Sequence, residues 1–534
     1  MKELVFRKFF AATVLLSSLW GSNMAAAMNA SAETADNDYV TEINAKQYGA
    51  GHQLIYELNV GAFTPEGTFL AARQQLLRLK STGIDIVWLM PIYPRDGGLN
   101  SPYAATDFKQ VNPSYGTVAD LKDFVTAAHT LGMKVWLDWV PNHTSTIAGW
   151  VTTHPEYYKK VNGEMVHPNN YNDVYQLDYT NDGLVAAMND CLTYWIDEAD
   201  IDGYRCDYIS SSDIPVSYWQ STIPMLKSYK PGKEITMLGE SDFTDANNVR
   251  LQSAGFDYDY AWGFQSKLVN YGANNIYAAP LKVYAQNLIA DSKEMNVSRM
   301  LYLTNHDQNW NESAKTLTAK YGQNRYLLTV YAFTIWGMPL VYNGQETGGN
   351  QALNYFSDSK IDWSQTDDKM LNTIRTLAAI KHSQKALFDS ATPAENADVT
   401  FLTTGNGQVL AYKRTSGDSE VLVILNTSTA AQTVSLSGIS GDYSLWLNSE
   451  SVGKGVSRHQ ISFAGTLTQT VEAKGYRVYV KGSFPDEEHF TAIRPVYASH
   501  TAGADADYYS LNGQKVQNPS NGIFIHQGRK FICP

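Results

Sequence analysis

From about residue 48 to residue 385 the chain alternates short apolar runs with longer stretches of helical periodicity, and this alternation restricts the fold more than any other feature. Leu54–Val60, Ile84–Met90, Lys134–Val140, Ile201–Asp207, Ile235–Glu240, Phe256–Tyr260, Met300–Asn305 and Leu340–Asn343 read as strands. Near-continuous apolar runs bounded by turn residues are the pattern of parallel strands buried on both faces. Between the second and third runs, Leu121, Phe124, Val125, Ala128 and Leu131 recur at helical spacing. Thr117 with Asp120 reads as a capping box and Gly132 as the stop. A second helix is expected over 182–199, with Met188, Leu192, Trp195 and Ile196 on one face. Eight strands with intervening helices predict an α/β fold, a (β/α)8 barrel of the TIM type. Periodicity alone leaves a doubly wound sheet as the competitor.

A chain of 534 residues exceeds one compact core, so two or three domains are expected. The barrel is assigned to residues 48–385. The stretch from His143 to Tyr175, after the third strand, is longer than an ordinary connection and rich in Tyr, Asn, His and Pro; it is read as a small excursion over the barrel mouth. After Leu387, the runs 409–414, 421–426, 443–447 and 476–481 are short strands separated by Gly, Ser, Thr and Asn, which predicts a C-terminal antiparallel β-sandwich over 386–482. Residues 483–534 are read as a tail with a hairpin signal at Asn512-Gly513 and no assigned role.

At the start, Lys2, Arg7 and Lys8 precede an apolar run from Phe9 to Trp20, then small residues at 25–27 and 30–32. That order is a secretory signal peptide, assigned to 1–32, and predicts a secreted or periplasmic protein. The apolar run is too short for a comfortable membrane span, and no other segment is apolar enough, so no transmembrane segment is expected in the mature chain. Cys191, Cys206 and Cys533 do not look like a disulfide framework. Lys and Arg total 41 against 53 Asp and Glu, a net charge of −12, which argues against nucleic acid as a partner. Oligomeric state is left open.

In a (β/α)8 barrel the functional groups collect at the C-terminal ends of the strands. Here the third strand ends in Asp138-Trp139-Val140-Pro141-Asn142-His143, the fourth in Gly203-Tyr204-Arg205-Cys206-Asp207, the fifth in Gly239-Glu240 and the seventh in Asn305-His306-Asp307. One carboxylate at a strand end is usually a solvated cap or an ion-pair partner. Four such placements on one rim indicate a site. Arg205 and Asp207, two residues apart on one strand, point the same way, so the cation is placed to hold the anion.

These four segments, in this order, resemble the four signature regions of the α-amylase superfamily, glycoside hydrolase family 13. Tyr56-Glu57, Ser101-Pro102-Tyr103 with Asp107, Gln176-Leu177-Asp178, and Gly337-Met338-Pro339 through Gly344-Gln345-Glu346 agree with it, and the resemblance covers roughly 48–480. It implies a retaining glycosidase acting on α-1,4-glucosidic bonds of starch, glycogen or maltodextrins. Such an enzyme needs two carboxyl groups about 5 Å apart. By resemblance Asp207 is the nucleophile, Glu240 the acid/base and Asp307 the third carboxylate. The acid must hold a proton near neutral pH, so Glu240 needs a raised pKa. Tyr103, His143, Arg205 and His306 are assigned to substrate binding, Tyr103 by stacking and the histidines by sugar hydroxyls. Asp138 is read as the structural partner of Arg205. Trp262 and Trp310 are read either as outer sugar sites or as core. No organic cofactor is expected. For calcium the resemblance is divided. Asn142 and Asp178 match positions that ligate a structural Ca²⁺ in family members, whereas the Lys-His pair that follows the nucleophile there is replaced by Tyr208-Ile209-Ser210-Ser211. The alternatives kept are an α-glucanotransferase or cyclodextrin-cleaving relative on the same site, and a catalytically silent glycan-binding protein.

Overall fold

The computed structural model describes residues 53–95, 100–271, 277–310, 315–389, 392, 396–450 and 460–482, together with four backbone strands between 508 and 533. The leader assigned to residues 1–32 lies outside the described residues. Among the described residues no helix is long and apolar enough to cross a membrane.

Eight strands, β1 (Ile55–Leu58), β2 (Ile86–Leu89), β3 (Lys134–Trp139), β4 (Gly203–Cys206), β5 (Thr236–Gly239), β6 (Tyr258–Tyr260), β7 (Ser298–Leu301) and β8 (Met338–Tyr342), close into a parallel barrel, each pairing with its neighbours in sequence and β8 with β1. The doubly wound alternative is excluded. Nearly every strand residue is buried, as strands covered on both faces require. The expected strands overlap these eight, with two instructive shifts. The seventh ends at Leu301 rather than Asn305, so Asn305-His306-Asp307 sits beyond the ladder. The eighth begins at Met338, before Pro339, which lacks the N–H that a strand interior uses but is accommodated near the strand start. Gly203 has a packing reason: a Cβ there would lie 2.4 Å from the Thr236 carbonyl oxygen and 2.9 Å from the Trp136 indole. Glycine lets β4 close against that fully buried ring.

The helix after β2 runs from Val118 to Thr130, and its capping box forms as read, with Thr117 Oγ1 accepting from the Asp120 amide and Asp120 Oδ2 from the Thr117 amide. The helix at Asp182–Ala199 buries Met188, Leu192, Trp195 and Ile196. The excursion contains two small antiparallel pairs, His143–Ser145 with Val174–Gln176 and Lys160–Val161 with Glu164–Met165.

Residues 49–483 form one compact unit. Its C-terminal part is a six-stranded antiparallel sheet made of β9 (Asp398–Leu402), β10 (Val409–Ser416), β11 (Ser419–Asn426), β12 (Gln432–Asn448), β13 (Gln460–Val471) and β14 (Tyr476–Lys481). The long β12 pairs with β13 and also with β14, with register shifts at Ser437/Ile439 and Leu445/Leu447. Such bulges bend a strand. The sheet curls until Val409, Ala411, Leu422 and Ile424 share a core with Val434, Leu436, Leu467 and Val471, the interior expected of a sandwich. It is joined to the barrel by a buried ion cluster: Asp389 bridges Lys381 Nζ at 2.9 Å and Arg414 Nη2 at 2.8 Å, and Arg414 also donates to the Thr334 and Ile335 carbonyls.

The remaining segment is more than a tail. Tyr508–Ser510, Lys515–Val516, Gly522–His526 and Arg529–Cys533 form a four-stranded antiparallel sheet in a separate unit. The first two strands flank Asn512-Gly513, which itself lies outside the described residues.

Candidate active site

Strand register brings the first ionic groups together. Asp138 on β3 lies opposite Arg205 on β4, so both side chains share a face at the C-terminal end of the barrel. Asp207 continues that ladder, its amide donating to the Trp139 carbonyl at 2.8 Å, and the Glu240 amide donates to the Cys206 carbonyl at 2.9 Å. One guanidinium then meets all three carboxylates. Arg205 Nη1 lies 2.9 Å from Asp138 Oδ1 and 2.9 Å from Asp207 Oδ1, and Nη2 lies 3.1 Å from Glu240 Oε2. The Glu240 contact is a charge contact too bent for a hydrogen bond. Nε donates to Tyr260 Oη at 2.9 Å, and the Trp88 ring packs on the guanidinium, 5.0 Å from its carbon. Arg205 has no exposed surface, while the side chains of Asp207 and Glu240 keep 13% and 15% of theirs. The two carboxylates can be reached from the cleft and the arginine cannot. Arg205, assigned to substrate binding, lies fully buried behind these carboxylates and holds them. Asp138, wholly buried, is the structural partner expected.

A single cation against three carboxylates leaves this pocket short of positive charge, and the protonation follows. Burial pushes the Glu240 carboxyl up, Arg205 opposes, and the charges of Asp207 and Asp307 raise it further, to about 8. Burial raises Asp138 as well, with Arg205 pulling back. The trio thus retains a proton at neutral pH. Glu240 Oε2 accepts from the Tyr208 amide at 2.7 Å, which leaves Oε1 to carry the proton it gives up. The alkaline limb of kcat/KM is accordingly expected near pH 8, activity being lost as pH rises through the Glu240 pKa. Asp307→Asn removes a charge that favours the proton, so the limb in that variant moves to lower pH. Profiles of the two proteins on one soluble oligosaccharide check this; an unmoved limb contradicts it.

The opposite wall is built on a residue that the sequence analysis noted only as part of a motif. Glu57 on β1 is fully buried and binds His306 Nδ1 at 2.5 Å. His306 Nε2 meets Tyr103 Oη at 2.8 Å and lies 3.4 Å from Asp307 Oδ1. Burial opposes a charge on His306, but Asp307 and Glu57 outweigh it and push the imidazole up to about 9. It is an imidazolium at neutral pH. With 1% exposure and both nitrogens engaged, it reaches a sugar hydroxyl only by exchanging Tyr103 or Asp307. Tyr103 stacks on the His306 ring, centroids 5.4 Å apart, and donates to Asp138 Oδ2 at 3.1 Å. His143 is held neutral by burial, although Asp207 and Asp173 pull the other way, and Asn142 Nδ2 contacts its Nδ1. Tyr355, with its ring 5.4 Å from His306 and 6.2 Å from Tyr103, was not anticipated. Burial, then Asp307, Asp207 and Glu240, raise its phenol. Trp262, half-buried, packs against Tyr260 and Tyr302; Trp310 is 36% exposed.

The proposed calcium donors make hydrogen bonds within the protein. Asn142 Oδ1 and its carbonyl both accept from Gln176 Nε2, at 2.9 and 2.8 Å, and Asp178 Oδ1 accepts from Thr180 N and Oγ1. Among the described residues no group of three or more His, Cys, Asp or Glu side chains is arranged to hold a metal. Calcium takes six to eight oxygens, commonly with several carboxylates. Asn142 and Gln176 tie the excursion to the barrel rim.

Known proteins resemble this chain in sequence and fold. The α-amylase catalytic domain matches residues 35–176 and 157–393, and the maltogenic amylase C-terminal domain matches 399–447. The α-amylase MalA of Haloarcula japonica is 27% identical over 424 residues, 74% of this chain and 59% of that protein. A cyclomaltodextrin glucanotransferase of Niallia circulans is 24% identical over 370 residues, 63% of this chain and 49% of that protein. The chain thus spans about half to three fifths of the length of these relatives. The crystal structure of an α-amylase from Lactobacillus plantarum superposes with a TM-score of 0.65 at 25% identity, over 80% of this chain and 98% of that one.

Proposed function

The chain belongs to the α-amylase family of enzymes, and from that premise we propose that it hydrolyses α-1,4-glucosidic bonds of starch, glycogen or maltodextrins with retention of configuration. The observation that carries the reading is the sharing of one buried guanidinium by Asp207 and Glu240. Asp207 attacks the anomeric carbon while the bond to the departing oxygen breaks, and Glu240 gives that oxygen its proton. The sugar is then an ester of Asp207. Glu240, now a carboxylate, takes a proton from water as the water oxygen attacks the same carbon, and Asp207 leaves with its electron pair. Arg205 holds Asp207 in orientation. Asp307, with 37% of its side chain exposed, faces the cleft, where it is available to sugar hydroxyls and to the positive charge of the transition state.

The test is a time course of products from maltoheptaose and amylopectin, with and without a chelator. Smaller linear maltooligosaccharides are expected throughout. Larger, branched or cyclic products would favour a transferase, in which a sugar hydroxyl rather than water resolves the intermediate. Because Asn142 Oδ1 and Asp178 Oδ1 already accept hydrogen bonds within the protein, we expect the rate and the melting temperature to be the same with the chelator present; a loss of either contradicts that expectation. We also propose that the protein acts outside the cytoplasm, on the basic-apolar-small order of residues 1–32.

A further inference from the structure

Tyr208, directly after Asp207, has φ of +43°. Of the non-glycine residues with positive φ among those described, all but Tyr208 and Lys474 are Asn or Asp, the two types that tolerate the left-handed region. A bulky residue there is strained, and such strain clusters where a site needs it. The turn has an evident use, since it aims the Tyr208 amide at Glu240 Oε2, 2.7 Å away. Glycine would make the same turn without the cost. The ring therefore has a purpose of its own.

The position of the ring indicates that purpose. Tyr208 is partly exposed, and Asn169 Nδ2 of the excursion donates to its hydroxyl at 3.3 Å. Asn169 lies in the short turn Pro168–Asn170, so the phenol crosses from the barrel rim to the excursion with both ends fixed. Glu240 hands its proton to the departing sugar, and the Tyr208 backbone amide is hydrogen-bonded to that carboxyl group, which sets the residue beside the acid. The next residue, Ile209, is fully buried, so it cannot compete for this role. A fixed aromatic ring offers a large apolar face at little entropic cost, which suits the C–H face of a pyranose.

We propose that Tyr208 is the stacking platform for the first sugar on the leaving-group side of the scissile bond, an assignment that rests on the hydrolase reading above. It makes the acceptor side of this site aromatic rather than cationic, and it selects substrates that place a glucose ring there.

The test compares maltoheptaose, whose leaving group is a sugar, with α-maltotriosyl fluoride, whose leaving group is a fluoride ion. Tyr208→Ala is expected to lower kcat/KM on maltoheptaose about tenfold more than on the fluoride, the size of one good aromatic contact. Tyr208→Gly relaxes the backbone and keeps the amide; it should show the same selective loss with undiminished melting temperature, which rules out a collapsed turn. Tyr208→Phe keeps the ring and should discriminate between the two substrates as the wild type does. Equal losses on both substrates, or none on either, overturn the platform while leaving the hydrolase reading intact, because that reading rests on the wild-type rate on maltoheptaose.

Discussion

Asp207→Asn is expected to lower kcat by a factor of about 10⁴ or more while leaving the fold unchanged, the scale of loss when a covalent nucleophile is removed. The amide keeps an oxygen at the Asp207 position, so Arg205 Nη1 retains a partner where it now finds one at 2.9 Å. The barrel ladder through the Asp207 amide is a backbone bond and is untouched. An amide oxygen cannot form the ester intermediate, so only a slow direct displacement remains. Binding of unreacted glucan should persist, because Tyr103, Tyr355 and Asp307 are unaltered. Steady-state rates with a binding titration on the same preparation check both halves. A variant with more than about a tenth of wild-type kcat would remove Asp207 from the mechanism.

The second large effect concerns stability as much as rate. Arg205→Met leaves Asp138, Asp207 and Glu240 in a pocket without their cation, and removing one partner of a buried ion pair costs about 3–5 kcal/mol. It also ends the guanidinium contact with the Trp88 ring. The three carboxyls in this variant take up protons to shed charge. Its folded state then binds more protons than its unfolded state, and the deficit grows as pH rises. Loss of the group that orients Asp207 should lower kcat by about 10²–10³, as the loss of a preorganised electrostatic contact does. Arg205→Lys is not expected to restore either property, because one ammonium cannot span three acceptors as a planar fork does. Denaturant midpoints at two pH values settle the matter; a variant within about 1 kcal/mol of wild type would show that the carboxylates do not depend on this cation.

Much of this was legible in the sequence because it rests on period and register. The eight apolar runs and the Thr117–Asp120 box depend on local residue order, and all are found. The Arg205–Asp207 pair follows from strand alternation alone. What escaped depends on partners distant in the chain. Glu57 looks like any strand residue until the fold sets it against His306, 249 positions later. Tyr355 sits in a polar loop, where an aromatic carries no signal of its destination. The engagement of Asn142 by Gln176 could not be read from either residue. The curl of the C-terminal sheet arises from bulges in β12 that no alternation announces. The left-handed backbone at Tyr208 escaped because tyrosine is not a residue that marks such turns.

The central claim is that Asp207 forms a bond to the sugar while Glu240 manages the proton. It is tested most directly by incubating the Glu240→Gln protein with a fluorinated α-glucosyl fluoride, which forms the intermediate without needing the acid and then turns over slowly. Mass spectrometry of the peptic digest locates the adduct. A single sugar ester on the peptide that contains Asp207 is the predicted result. An adduct on Asp307 or Asp138, or β-configured sugar released with no adduct at all, would contradict it.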